Sequence, residues 1–199
     1  MFRITTSVIT ATLLLTAAVA AEAGCAPGYT DNGDGTITDT CTGLMWEKKD
    51  DSGGLHDKDN FYTWSGPSYG STNTMDGTIR GFVDALNDVS GGGANCFAGY
   101  CDWRAPRIDE LTRVLDYASG PPYINAAFHR DRTCTGCTDV TAPECSCTSS
   151  SLYWTATTYA PIPAFAWFVG FQTGYTYHLF KYFDFHVRAV RAGHAGSGE

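Results

Sequence analysis

The chain has 199 residues, with 13 Lys and Arg against 21 Asp and Glu, and its formal net charge is −8. A hydrophobic content of 43% and an aromatic content of 14% exclude an intrinsically disordered chain, which lacks the apolar residues for a core. The sequence has no Gly-X-Y repeat and no heptads, which excludes collagen-like and coiled-coil architectures. The acidic balance argues against nucleic-acid binding, because that function needs a basic face.

The first 23 residues have the pattern of a secretory signal peptide. An apolar stretch centred on Leu13–Leu15 precedes an A-x-A cleavage site at Ala21-Glu22-Ala23. The alternative of a membrane anchor is disfavoured because the stretch is too short to cross about 30 Å of hydrocarbon. A lipoprotein, which Cys25 would suggest, is disfavoured because Glu22 stands where a lipobox has an apolar residue. We therefore predict no transmembrane segment, export to the periplasm, the cell surface or the medium, and a single mature domain over residues 24–199.

The eight cysteines all lie in the mature part of the chain, and an even number in an exported protein predicts disulfide bonds. Cys25 and Cys41 flank a predicted hairpin, and Cys96 and Cys101 bracket only four residues, so each pair is predicted to close locally. The other four form a C-x-x-C and a C-x-C motif, and pairing inside C-x-C would be strained. Bridges between the two motifs are therefore favoured over a zinc site. The C-x-C motif does not match the spacing that the second pair of cysteines usually has in such a site. These four are Cys134, Cys137, Cys145 and Cys147.

A β-hairpin is predicted near the start of the mature chain. Asn32-Gly33 and Asp34-Gly35 lie between flanks rich in Thr and Ile, which is typical of a hairpin turn. An EF-hand would need oxygen ligands where the two glycines stand. A calcium site of another kind, formed by Asp31, Asp34 and Asp39, is the weaker alternative. We therefore predict no metal and no cofactor, with calcium as the weak candidate.

The remaining chain predicts an α+β domain. A long surface loop is expected over Asp50–Met75, and apolar residues at helical spacing predict helices over Ile79–Val89 and Ile108–Leu115. After Ser150 the pattern changes to aromatic and β-branched strands. These strands are predicted at 152–159, 164–172, 175–179 and 186–191. Two helices followed by antiparallel strands indicate an α+β fold.

Five motifs follow one another along the chain. They are Asp31–Asp39 with Thr42–Trp46, Asp102–Arg104 with Pro106 and Glu110, Tyr153–Thr155, Trp167, and Val187–Arg191. In this order they resemble the Lcl C-terminal domain family, which is named for a bacterial collagen-like adhesin. The resemblance covers about residues 29–191. It implies a disulfide-stabilised C-type-lectin-like fold in which two helices flank a small antiparallel sheet. It also implies binding at the cell surface, since the founding adhesin binds sulfated glycosaminoglycans.

The chain departs from the family pattern at two places. Ala105-Pro106-Arg107 stands where the family has Leu-Pro-Thr, and loss of a Thr helix cap costs about 1 kcal/mol unless another group replaces it. Ala189 and Val83 stand where the family often has a pair of cysteines. We expect the bridges within the cluster of four cysteines from Cys134 to Cys147 to take the place of that missing disulfide.

The segment from Tyr175 to His186 contains more aromatic residues than a short hairpin can bury. Packing against the sheet accounts for about half of them, and the exposed remainder suits stacking on sugar rings or on protein hot spots. The resemblance also places the ligand face in this region, which mutagenic retroelements diversify in some C-type-lectin-like proteins. The predicted ligand-binding residues are Trp167, Tyr175, Tyr177, His178, Phe180, Lys181, Tyr182, Phe185 and His186.

Charge limits the ligands that this face suits. Only Lys181, Arg188 and Arg191 are basic near the segment, and one of the arginines is expected to pair with Asp102. We therefore favour a neutral glycan or a surface protein over a sulfated ligand. The histidines and cysteines form no recognisable nucleophile motif, so we predict no enzymatic activity. The predicted function is a non-enzymatic adhesin or lectin-like module. The alternative is a structural subunit of an envelope or extracellular assembly that buries this face in a homo-oligomer.

Overall fold

The described part of the protein has the predicted α+β class, with many short strands and two short helices. The computed structural model describes residues 25–26, 28–65, 77–129 and 134–193, so the predicted signal peptide lies outside the described residues. The strands are β1 (Tyr29–Asp31), β2 (Thr36–Asp39), β3 (Leu44–Glu47), β4 (Tyr62–Thr63), β5 (Gly77–Thr78), β6 (Leu152–Thr158), β7 (Phe165–Gly170), β8 (Tyr175–Phe180), β9 (Asp184–Phe185) and β10 (Val190–Ala192), and the helices are α1 (Ile79–Leu86) and α2 (Ile108–Leu111). None of the helices in these ranges is long and apolar enough to cross a membrane.

The strands form three small sheets instead of the one sheet that was expected. Their strand orders are β1-β2-β3-β10, β5-β4-β9 and β6-β7-β8. All pairs are antiparallel except β4 with β5. The first sheet joins the first and last described strands of the chain. The predicted strand over 186–191 is wrong in its extent, because only Val190–Ala192 belongs to a strand.

The predicted hairpin is confirmed as β1 and β2. Asn32 N donates to Thr36 O across the turn at 3.0 Å. Gly33 and Gly35 have φ angles of 75° and 92°, a region that L side chains rarely adopt. These two glycines explain why the chain can reverse within four residues.

Helix α1 begins and ends with identifiable signals. The Thr78 hydroxyl accepts an N–H of the first turn at 3.0 Å and so caps the helix. Ile79, Phe82 and Leu86 are buried at helical spacing. The helix ends at Leu86, earlier than predicted, and Val89 is 61% exposed.

Helix α2 is shorter than predicted, but its first turn is well capped. Glu110 accepts the backbone N–H of Arg107 at 2.7 Å. The Thr157 hydroxyl, contributed by β6, accepts the N–H of Ile108 at 3.0 Å. A hydroxyl from β6 thus serves the first turn of α2, although it bonds the N–H of the first helical residue and a Thr at position 107 would bond that of the second or third. After α2 the chain continues as a 3-10 turn, so the predicted helix through Leu115 is wrong in its length.

The β6–β7 pair separates two apolar clusters. Trp154 and Phe168 belong to the cluster that contains α1, whereas Tyr153 and Val169 belong to the one that contains α2. Ala189 is buried in the first cluster, and Val83 packs against the same cluster. The positions where the family has a disulfide are therefore occupied by apolar packing.

All eight cysteines form disulfide bonds, as predicted. The pairs are Cys25–Cys41, Cys96–Cys101, Cys134–Cys147 and Cys137–Cys145. The last two bridges connect the C-x-x-C and C-x-C motifs, so no thiolate is left for the alternative zinc site. The loop that they close is held to the chain after β3, since Cys147 N donates to Lys49 O at 2.8 Å.

The segment after β3 is only in part the surface loop that was expected over Asp50–Met75. Exposed and buried residues are mixed over 50–65, and residues 66–75 of the predicted loop lie outside the described residues. Asp50, Asp57 and Asn60 are buried. Asp57 Oδ2 accepts the N–H of Gly53 at 2.6 Å, and Asn60 Nδ2 donates to Gly54 O at 2.7 Å. These internal hydrogen bonds fold the polar residues inward, which composition alone could not indicate.

Candidate ligand-binding site

The outer end of the β6-β7-β8 sheet presents a group of aromatic side chains on one face. In the β7–β8 register, Trp167 lies opposite His178 and Phe165 lies opposite Phe180. Residues directly opposite each other point to the same side of a sheet. With Tyr159, which follows β6, these residues form what we call the aromatic face: Tyr159, Phe165, Trp167, His178 and Phe180.

The rings of the aromatic face are closely packed. The His178 ring is stacked on Tyr159, with centroids 3.7 Å apart, and on Tyr177, with centroids 4.5 Å apart. Trp167 meets His178 edge to face at 5.3 Å, and Phe165 meets Phe180 at 4.1 Å. Such mutual contacts fix the ring orientations before any ligand arrives, which lowers the entropy cost of binding.

Two members of the aromatic face, Tyr159 and Phe165, were missing from the predicted set. Phe165 and Trp167 are two residues apart in the predicted strand 164–172, and strand alternation places such residues on the same side of a sheet. That alternation was the signal that could have identified Phe165. Tyr159 has no such signal, because it stacks on His178 only through the fold.

Several predicted residues are exposed at or beside this face. Tyr175 is 73% exposed and Tyr177 is 58% exposed, and both lie on the outer strand β8. Phe180 and Tyr182 are each 38% exposed, and their rings are stacked at 5.1 Å. The structure therefore brings together Trp167, His178 and Phe180, and the rings of Tyr177 and Tyr182 contact this group. The register places Tyr175 and Tyr177 opposite Gly170 and Phe168, so both side chains leave the strand on the other side of the sheet.

Phe185 and His186 were predicted to bind ligand, but the structure buries both. Phe185 is 8% exposed, and its ring packs against Trp154 at 4.4 Å. His186 is 2% exposed and donates from Nδ1 to the backbone carbonyl of Asn60 at 3.0 Å. Burial lowers the pKa of His186 to about 4, so the ring is neutral at pH 7. These two residues support the sheet from inside and are not available to a ligand.

Lys181 carries a positive charge that is fixed just after β8, on contacts outside the aromatic face. Its Nζ lies 3.7 Å from the centroid of the Trp64 ring and donates to the Thr158 hydroxyl at 2.9 Å. Trp64 is itself oriented by a hydrogen bond from Nε1 to Thr155 O at 2.8 Å. Partial burial lowers the pKa of Lys181. The ammonium is thus held in place by a cation–π contact and a hydroxyl.

The two arginines near the C-terminus serve the fold. Arg191 Nε lies 2.6 Å from Asp102 Oδ1, which confirms the predicted pair, although Asp102 is half-exposed and not buried. Arg188 is fully buried and donates to Glu47 O at 2.6 Å, to Cys147 O and to the Thr148 hydroxyl. Neither guanidinium is free to bind an anionic ligand.

The three carboxylates proposed for calcium do not come together in the described structure. Asp31 lies 2.8 Å from Lys48 Nζ, and Asp39 lies 2.8 Å from Arg113 Nε. Asp34 accepts hydrogen bonds from the backbone and the hydroxyl of Thr36. Each carboxylate has its own partner within the protein, so the calcium site suggested by the sequence is not formed.

A different acidic cluster is present in the chain after β3. The carboxylates of Asp51, Asp57 and Asp59 lie within 4.8 Å of one another. Lys58 Nζ lies 2.9 Å from Asp51 and 2.6 Å from Asp59. The protein thus supplies the positive charge of this cluster itself.

Comparison with known proteins identifies the family. The Lcl C-terminal domain family matches residues 35–191, a range that contains both helices and the aromatic face. No curated protein and no solved structure matches the chain. Because the match spans most of the sequence, the chain belongs to the Lcl C-terminal domain family.

Proposed function

We propose that the protein is a secreted, non-enzymatic, lectin-like module that binds a neutral glycan on its aromatic face. The family is consistent with an adhesin-like extracellular module, and four disulfide bonds suit an exported protein. A C-type-lectin-like fold is part of this proposal. It is supported by the two helices, the small antiparallel sheet β6-β7-β8 and the family membership.

The observation that carries the proposal is the ring stack at His178. Tyr159, His178 and Tyr177 present parallel rings, and Tyr177 remains 58% exposed. A tyrosine suits a sugar ring, because its apolar ring face can stack on the apolar side of the sugar while its hydroxyl stays in water. The hydroxyls of Tyr159 and Tyr177 in the stack can donate hydrogen bonds to sugar hydroxyls.

Charge favours a neutral glycan over a sulfated one. The chain carries a net charge of −8, and Arg188 and Arg191 are engaged within the protein. Among the described residues of the predicted site, Lys181 is the remaining cation, and it already contacts Trp64 and Thr158. A polyanion needs a broad basic patch, which these residues do not provide.

A glycan array probed with the mature chain 24–199, oxidised and tag-free, tests the proposal. We expect selective binding to uncharged glycans that is lost when Tyr177→Ala and Tyr182→Ala are combined. Tyr117→Ala, which removes a 66% exposed tyrosine outside the aromatic face, is the matched control and should bind normally. Circular dichroism confirms that each variant is folded.

The array is run with calcium and again with EDTA. We expect the same binding in both buffers, since Asp31, Asp34 and Asp39 are each engaged within the protein. An array that stays silent in both buffers contradicts the glycan proposal. Binding that persists in the double variant would place the ligand elsewhere on the protein.

A further inference from the structure

The two outer strands of the β6-β7-β8 sheet differ in how their outer edges are covered. On the β6 side, Trp154 N donates to His186 O at 2.9 Å and Ala156 N donates to Pro106 O at 2.7 Å. Strand β8 lies at the other side and pairs only with β7. In the described ranges of the chain, no further strand pairs with β8.

The hydrogen bond from Lys181 N to Ala164 O, 3.0 Å long, determines which backbone groups of β8 point outward. In antiparallel sheets every second residue exchanges its N–H and C=O with the neighbouring strand. Continuing the register from Lys181, Leu179 and Tyr177 face β7 in this way. The N–H and C=O groups of Thr176 and His178 therefore point away from β7, and within the described residues no backbone group bonds them.

Strand β8 lacks the usual protection of an edge. Natural edge strands are kept from pairing by lysines, prolines, bulges or a very short length. Tyr175–Phe180 is six residues long, contains no charged residue and no proline, and pairs with β7 without a bulge. Because the strand is uncharged in a chain of net charge −8, two copies can approach here without placing like charges opposite each other.

We propose that two copies of the chain pair antiparallel along their β8 edges and join their sheets into one of six strands. A register with Thr176 opposite the partner's His178 uses every outward N–H and C=O of these two residues in both copies. It places Tyr177 opposite the partner's Tyr177 on the two-fold axis. Tyr175 then lies opposite the partner's Leu179, so aromatic and apolar side chains meet across the axis.

The pairing itself does not depend on the proposed function, but one consequence does. Residues opposite each other point to the same side of a sheet, so the aromatic faces of both copies lie on one side of the joined sheet. A ligand with repeated sugar units can then engage two sites at once, which raises the overall affinity without any new contact.

Single cysteines test the register. Tyr177→Cys places two thiols in a non-hydrogen-bonded pair, whose Cα atoms lie about 4.5 Å apart, within the range of a disulfide. All native cysteines are bridged, so the new thiol has no competitor within the described chain. Thr176→Cys is the matched control, because its position faces the partner's His178. We expect Tyr177→Cys to form a covalent dimer at least about tenfold faster than Thr176→Cys.

A second pair of variants tests the backbone hydrogen bonds. Thr176→Pro removes an outward N–H and leaves the bonds to β7 intact, whereas Thr176→Val keeps the N–H. Sedimentation velocity should show dimers for the wild type and Thr176→Val, and monomers for Thr176→Pro. The proposal is overturned if the wild type stays monomeric as concentration rises, or if Tyr177→Cys cross-links no faster than Thr176→Cys.

The glycan array separates this proposal from the proposed function. A monomeric wild type that still binds glycans overturns the pairing alone. If Tyr177→Cys cross-links and the wild-type protein is silent on the array, the pairing is supported and the glycan site is contradicted. If Thr176→Pro is monomeric, it should keep its binding to sparsely printed glycans and lose the extra affinity for densely printed ones.

Discussion

Glu47 and Lys49 form an ion pair inside the protein, with Lys49 Nζ 3.2 Å from Glu47 Oε1 and neither side chain more than 1% exposed. Glu47 also accepts a hydrogen bond from the backbone N–H of Ala189 and contacts His56 Nδ1, each at 2.9 Å. Burial opposes ionisation of Glu47, but Lys49 and the hydrogen bonds outweigh it and hold the pKa of the carboxyl below its ordinary value. Through the hydrogen bond from Ala189, the Glu47 carboxylate also joins β3 to the segment before β10.

Removing the negative charge of this pair should destabilise the protein strongly. Glu47→Gln leaves Lys49 buried without a counter-charge, which costs about 3–5 kcal/mol of the free energy of unfolding. Urea unfolding with the disulfides intact measures this loss. In the double variant Glu47→Gln with Lys49→Met, the unpaired charge of Lys49 is gone, and part of the stability should return. The recovery is incomplete because the buried Arg188 still loses the nearby Glu47 carboxylate. A double variant as unstable as Glu47→Gln would show that the ion pair is not the cause.

Parts of the fold could be predicted because the signal is local. The glycine pairs at Asn32–Gly35 predicted the hairpin, and the β-branched and aromatic runs predicted β6, β7 and β8. The two-residue strands β4 and β9 could not be predicted, since Tyr62–Thr63 and Asp184–Phe185 carry no periodicity. They are strands only through their pairing with each other and with β5, which the tertiary fold brings about.

The site was predicted in part for the same reason. The aromatic density of β8 indicated exposed rings, and Tyr175 and Tyr177 are exposed. Phe185 and His186 belong to the same aromatic run, but His186 pairs with the outer side of β6 and is covered there. This pairing depends on the tertiary fold, which the composition of the segment cannot reveal. The buried Lys49 was equally hidden, because a lysine at the end of a strand is ordinarily exposed.

Acid should destabilise the protein through His186. Burial holds the pKa of His186 at about 4 against 6.5 in the unfolded chain, with Lys49 and Lys58 opposing the proton and Asp59 favouring it. Between these values the unfolded state binds more protons, so stability is complete above pH 6.5 and falls as the pH drops toward 4. The loss from this group is about 3 kcal/mol at most.

Urea midpoints measured in steps from pH 7.5 to 4 test this dependence. His186→Gln does not titrate in this range, and its amide can still donate to the Asn60 carbonyl. We therefore expect a flatter profile for the variant than for the wild type. Parallel profiles for the two proteins would assign the acid lability to other groups.

Phe185 and Tyr182 lie three residues apart and should respond differently to truncation. Phe185 packs against Trp154 and Phe168 in the core, so Phe185→Ala should cost about 3–5 kcal/mol. Tyr182 is 38% exposed, and Tyr182→Ala should cost about 1 kcal/mol or less. Thermal and urea unfolding of both variants give the comparison. Equal losses would mean that Tyr182 supports the core and does not belong to a binding surface.

The cap that β6 supplies to α2 should contribute measurably to stability. The Thr157 hydroxyl accepts the N–H of Ile108 at 3.0 Å, in a first turn whose N-cap residue, Arg107, stands where the family has a threonine. Thr157→Val keeps the shape of the side chain but leaves that N–H without its acceptor, which should cost about 1 kcal/mol. Thr157→Ser keeps the hydroxyl and should remain close to the wild type. If both variants lose the same stability, packing of the methyl group matters and the cap does not. If neither loses any, the Glu110 carboxylate at the Arg107 N–H is sufficient to cap the helix.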